Sequence, residues 1–101
     1  MQMIALHFKI HSMNGQQVLA CCDRELLGKT ISDNEREIVV SEYFYGGEKI
    51  SEPELAGLLM EAGNANLVGN KCVGVAIKEG LITERSIIKI KGVNHAIIIK
   101  L

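Results

Sequence analysis

The chain has 101 residues, 48% hydrophobic and 23% charged. That composition fits one globular domain and excludes a disordered or membrane-embedded chain. A domain of this size buries roughly 65% of the surface its unfolded chain exposes, so neither a disulfide nor a metal is required to hold it. The formal net charge of −1 conceals a split: residues 1–61 carry five Lys or Arg against ten Asp or Glu, whereas residues 62–101 carry six against two. A basic face able to meet a polyanion is therefore compatible with a chain that is not basic as a whole.

The N-terminus, Met1 to His7, has no basic region followed by an apolar core, and runs such as Ala96 to Ile99 are too short to span a bilayer. The expectation is a soluble, cytoplasmic protein. Cys21, Cys22 and Cys72 cannot all pair and form no Cys-x-x-Cys, which points to buried, reduced thiols.

In chain order, Ile4, Leu6, Phe8 and Ile10 alternate with Ala5, His7 and Lys9 in the period of a strand. Asn14-Gly15 supplies the positive φ angles of a tight hairpin turn, and Gln17 to Cys22 returns as a second strand. Asp23 is placed to cap one helical turn that stops at Gly28. Lys29–Ile31 and Arg36–Val40 read as short strands joined at Ser32–Glu35.

The segment Ser41-Glu42-Tyr43-Phe44-Tyr45-Gly46-Gly47 holds three of the four aromatic residues. Two readings are open. Either Phe44 plugs the end of the core in a short helical turn, or the tyrosines form a stacking ledge hinged at Gly46 and Gly47.

A helix begins at Ser51, which together with Glu54 makes a capping box, with Pro53 in the first turn. Leu55, Leu58, Leu59 and Ala62 define its buried stripe, and Gly63 ends it. A second helix is predicted from an N-cap in Asn64-Ala65-Asn66, with Val68, Cys72, Val75, Ala76 and Glu79 at helical spacing up to Gly80. Gly69 and Gly74 within it imply close backbone approach. The run Gly63 to Lys71 matches a phosphate-binding loop poorly. Ser86–Lys91 and His95–Leu101 form a C-terminal hairpin around Gly92-Val93-Asn94, with Ile88 and Ile90 inward and Lys89 and Lys91 outward. Ala96 to Ile99 is apolar on both sides, which predicts a central strand covered on both faces or by a second copy.

Metal binding is disfavoured: His7 and His11 lie about 13 Å apart in a strand, and Cys21 and Cys22 point to opposite faces. Asp23 raises the Cys22 thiol pKa and works against a nucleophilic role. His95 either contacts a ligand or pins its turn. A winged helix-turn-helix also fits helix, turn, helix and two strands, but the last strand is too apolar for a wing exposed to solvent.

Taken together, Phe8–His11, Val18–Thr30, Ser41–Gly47, Ala65–Gly69 and Gly92–Ala96 resemble the small archaeal proteins grouped as domain of unknown function 424. The resemblance spans nearly the whole chain. It implies an archaeal cytosolic origin and a compact α+β domain, and it carries over no catalytic residue.

The sequence therefore predicts a single α+β domain over residues 1–101: a mainly antiparallel sheet, two consecutive helices packed on it and a C-terminal β-hairpin. The leading functional expectation is a non-enzymatic binding module for RNA or a ribonucleoprotein, associated with translation, without cofactor or metal and capable of homo-oligomerisation. Lys71, Lys78, Lys89 and Lys91 are its candidate RNA contacts. His95, Asn66, Tyr45, Gly46 and Gly47 form a candidate ligand or turn site. The alternatives are an enzyme of unknown reaction with a pocket near His95 and Gly46-Gly47, and a homo-oligomeric structural protein.

Overall fold

The computed structural model describes residues 4–100, apart from the side chain of Met13. The start of the N-terminal segment and Leu101 of the predicted last strand lie outside the described residues. In chain order the elements are β1 (Ile4–Met13), β2 (Gln16–Asp23), β3 (Thr30–Ser32), β4 (Glu37–Val39), α1 (Glu42–Tyr45), β5 (Glu48–Ser51), α2 (Glu52–Glu61), β6 (Asn64–Val68), α3 (Asn70–Lys78), β7 (Ile88–Ile90) and β8 (Val93–Ile99). Single 3-10 turns occupy Arg24–Leu26 and Glu84–Ser86.

Six strands form one sheet in the order β5-β1-β2-β6-β8-β7, and β3 and β4 pair separately. Every neighbouring pair is antiparallel except β2 with β6. The fold is therefore α+β with a mainly antiparallel sheet and a C-terminal hairpin, as the sequence predicts. Because β5 and β6 run the same way with β1 and β2 between them, β5, α2 and β6 make a split βαβ unit.

Strand alternation sorts the side chains into two layers. On one face Leu19, Cys21, Leu67, Ala96 and Ile98 pack under Leu55 and Leu59 of α2 and Cys72, Val73 and Ala76 of α3. On the other, Ala20, Cys22 and Val68 meet Val40 and Tyr45, contributed by the β3–β4 hairpin and α1. The small second layer covers only part of its face. Ile88, Ile97 and Ile99 remain 41%, 54% and 70% exposed.

Local chemistry accounts for the boundaries that the sequence predicted well. Asn14 and Gly15 take φ of 52° and 78° in the first hairpin. The Ser51 hydroxyl accepts from the Glu54 amide, and the Glu54 carboxylate accepts from the Ser51 amide, which closes the capping box of α2.

Four expectations need correction. Residues 64–68 are strand β6 rather than the start of a helix, and α3 begins only at Asn70, because a parallel partner for β2 outweighs the capping potential of the asparagines. Gly74 has open space around it, so only Gly69 reflects close approach. The last turn is Lys91-Gly92, with φ of 51° and 81°, which places Lys91 in the turn and not on a strand. Finally, Ile88 is exposed, and β8, an interior strand between β6 and β7, has only one side of Ala96–Ile99 covered within the single chain.

Candidate functional site

The polar side chains that meet on the partly covered face come from three elements. Ser41 caps α1 by accepting from the Phe44 amide, 3.1 Å away. Gly46 and Gly47 then let the chain lie directly on β1, since a Cβ at Gly47 would strike the Phe8 carbonyl and one at Gly46 the Glu42 carbonyl. The glycine pair is thus a close-packed bend.

Seated this way, α1 points its three rings in different directions. The Phe44 ring stacks on His11 at a centroid distance of 4.5 Å, and His11 Nε2 lies 2.8 Å from the Phe44 carbonyl oxygen. Tyr43 is 79% exposed, with Lys9 Nζ 4.7 Å above its ring and donating to its carbonyl. Tyr45 is buried, and its hydroxyl donates to Asn66 Oδ1 at 2.7 Å. Burial pushes the Tyr45 phenol well above its usual pKa, so it remains a donor.

Asn66 Oδ1 also lies 3.2 Å from His95 Nε2. An amide oxygen only accepts, so His95 carries its proton on Nε2 and leaves Nδ1 as a lone-pair acceptor. Burial lowers the His95 pKa and keeps the ring neutral near pH 7. Tyr45, Asn66 and His95, three of the five residues of the candidate ligand or turn site, form one hydrogen-bonded cluster. Gly46 and Gly47 do not belong to it; Gly47 lines a shallow depression with Phe8, Lys9, Ile10 and Glu48 on the β1–β5 side. Two strands, β2 and β6, separate β1 from the strand of His95.

On the opposite face Asp23 has a role that the sequence did not show. Its carboxylate makes no side-chain cap on the 3-10 turn that follows it; it accepts instead from the amides of Lys71 and Cys72 at 3.0 Å each, capping α3 from β2. An internal anion therefore occupies the helix N-terminus, which answers the phosphate-loop alternative. Desolvation raises the Asp23 pKa against the lowering effect of these two bonds. Asn70 completes the junction by donating to the Gly92 carbonyl and accepting from the Asn94 amide. Only contacts between residues distant in sequence could reveal these roles.

The four candidate lysines are exposed but have different neighbours. Lys71 stands 3.8 Å from Glu25, and Lys78 lines a groove with Glu52 and Glu79. Lys89 lies on edge strand β7 beside Glu84 and Asn94, with Lys91 just beyond it in the turn. All three thiols are free and buried; Cys21 and Cys22 belong to opposite layers. Burial, followed by the neighbouring Cys21 and Asp23, pushes the Cys22 thiol up to about 12. Among the described residues no group of three His, Cys, Asp or Glu is placed to hold a metal ion, and no helix is long and apolar enough to cross a membrane.

This geometry defines a small α+β domain with two helices on one sheet face and a partly open, uncharged polar patch on the other. The chain belongs to the family described as protein of unknown function, DUF424, whose model matches residues 11–101. It is also similar to the crystal structure of an uncharacterized conserved protein from Methanopyrus kandleri, an archaeon: 28% identity, 95% of this chain and 93% of that chain covered, TM-score 0.80. Comparison with curated proteins gives no significant match. The five segments that carry the family resemblance supply His11, Asp23, Phe44, Tyr45, Asn66, Gly69 and His95, and so build both the patch and the α3 cap.

Proposed function

We propose that the chain is a non-enzymatic binding module that takes RNA or a ribonucleoprotein on the open strip over β6, β8 and β7. One observation carries this reading: none of these three strands contains an Asp or Glu, and their partly covered face presents Asn66 and His95 among three exposed isoleucines. Lys91 stands in the turn at the rim of the strip, whereas Lys89, paired with Asn94, points to the helix face. An apolar, polar-dotted sheet face with a cation at its rim suits unpaired bases with a phosphate alongside. His95 and Asp23 lie on opposite faces of the sheet, which works against a shared catalytic pocket.

The test is binding of labelled single-stranded RNA at low salt, followed by fluorescence anisotropy. Retention that weakens steeply with salt, and that is lost in Ile97→Glu, is expected. An absence of retention at low salt overturns the reading.

The exposure of Ile88, Ile97 and Ile99 favours a second reading, in which a second copy of the chain covers the strip. Its signature is a dimer mass in sedimentation at micromolar concentration that reverts to monomer in Ile97→Lys. A monomer mass for the wild-type chain removes it.

A further inference from the structure

Asn66 and His95 lie diagonally across the β6–β8 pair, Asn66 opposite Ile97 and His95 opposite Val68. On the far side His95 pairs with Ile88. Each polar side chain therefore has an exposed isoleucine beside it on the same face, 54% exposed at Ile97 and 41% at Ile88.

The hydrogen bonds within the cluster fix what the pair presents outward. Asn66 Oδ1 is taken by Tyr45 and His95, which turns Nδ2 away from the cluster as a donor. His95 is half-buried, and its one hydrogen bond among the described residues is made through Nε2, which leaves Nδ1 free to accept. The strip thus offers one donor and one acceptor, held in place by a buried tyrosine. A phosphate, which only accepts, satisfies the Asn66 amide but leaves His95 Nδ1 without a donor. A nucleobase edge carries both, an acceptor next to an N–H, and its ring faces need apolar cover.

We infer that Asn66 and His95 read the edge of an unpaired nucleobase, flanked by Ile97 and Ile88, with Tyr45 as the positioning residue. The inference rests on the RNA reading above and names the group by which the strip recognises it. In a duplex the same edges are engaged in pairing and the grooves hide them, so the strip selects single strands.

The experiment compares three labelled ligands on the wild-type chain: a single-stranded RNA oligonucleotide, the same strand in a duplex, and the same backbone with abasic positions. The base-bearing single strand is expected to bind about tenfold more tightly than the abasic one, the effect of a well-made pair of base contacts. Asn66→Asp, which replaces the donor by an acceptor, should remove that difference. Tyr45→Phe, a change that touches no ligand, should reduce it in part by freeing the Asn66 amide, and it serves if Asn66→Asp fails to fold. Equal binding of base-bearing and abasic strands overturns the base-reading pair while leaving RNA binding intact. Failure of every strand to bind at low salt overturns the functional reading itself.

Discussion

The carboxylate of Asp23 occupies the space that a side chain at Gly69 would need. A Cβ built at Gly69 collides with the Asp23 carboxylate, and Gly69 holds φ of +124°, a conformation that L side chains rarely adopt. The same carboxylate caps α3, so the absence of a side chain at one position is what allows β2 to latch the helix. Gly69→Ala is expected to destabilise the fold by about 2 kcal/mol or more. Asp23→Ala leaves the two amides without their acceptor, at a cost of about 2 kcal/mol. Removing the carboxylate lifts the two closest contacts, while the Asp23 Cβ at 2.7 Å and the positive φ remain, so the double variant should lose less than the sum of the two. Urea denaturation of the four proteins checks this, and strict additivity would show that the two residues are not coupled.

The pH dependence of stability has two opposed contributions. Burial lowers the His95 pKa from its ordinary 6.5, so the fold favours the neutral ring. Its contribution is complete above 6.5 and is lost as pH falls through the folded-state value. Asp23 has the reverse sign: its pKa is raised from 3.8, so its contribution is present below 3.8 and is lost as pH rises through the folded-state value. As pH falls from 7, the His95 contribution begins to decline near its unfolded-state value of 6.5. His95→Gln should therefore lose less stability than the wild type as pH falls below that value. Parallel unfolding curves for the two proteins would contradict the assignment.

The thiols should be silent in the folded protein. Cys22 is pushed up to about 12, Cys72 is also raised well above the usual thiol value by burial, and all three are buried. A thiol-specific chromogenic reagent at about pH 8 should find none of the three in the native chain and all three in urea. Rapid reaction of one thiol under native conditions would show that a layer opens locally.

Much of the fold is legible from short-range chemistry. The Ser51–Glu54 box, the Asn14-Gly15 turn and the alternation in β1 all act within a few residues, so the sequence displays them directly. What it hides depends on partners distant in the chain. Asn64 to Val68 has asparagines that suit a helix cap, yet β2 and β8 flank it on both sides and hold it extended. Strand β5 gives no clear alternation and exists because β1 has an open edge to pair. The site follows the same rule. Tyr45, Asn66 and His95 are noticeable one by one, but the strand register brings the second and third together, and the close-packed glycines at 46 and 47 bring in the first. Asp23 reads as a local cap because its true acceptor role lies across 48 positions of sequence.

The candidate lysines differ in their place in the fold, and this gives a sharp prediction about RNA. Lys71 and Lys78 project from α3, which packs on the sheet face opposite the open strip; Lys71 stands 3.8 Å from Glu25, and Lys78 shares a groove with Glu52 and Glu79. Lys89 pairs with Asn94 and lines a groove with Glu84 and Ile77 of α3, so it too points to the helix face, whereas Lys91 stands in the β7–β8 turn at the rim of the strip. If RNA lies over β6, β8 and β7, phosphate neutralisation falls to Lys91. Lys91→Glu should weaken binding and lower the salt slope by about 0.7, the share of one phosphate of a single strand. Lys71→Glu combined with Lys78→Glu and Lys89→Glu should leave both affinity and slope nearly unchanged. Neither variant should move the urea midpoint much, because exposed charges add little to stability. Equal losses from the two variants would place the polyanion across both faces of the sheet and contradict the strip as its site; a loss confined to the helix-face variant would move the site to the helices.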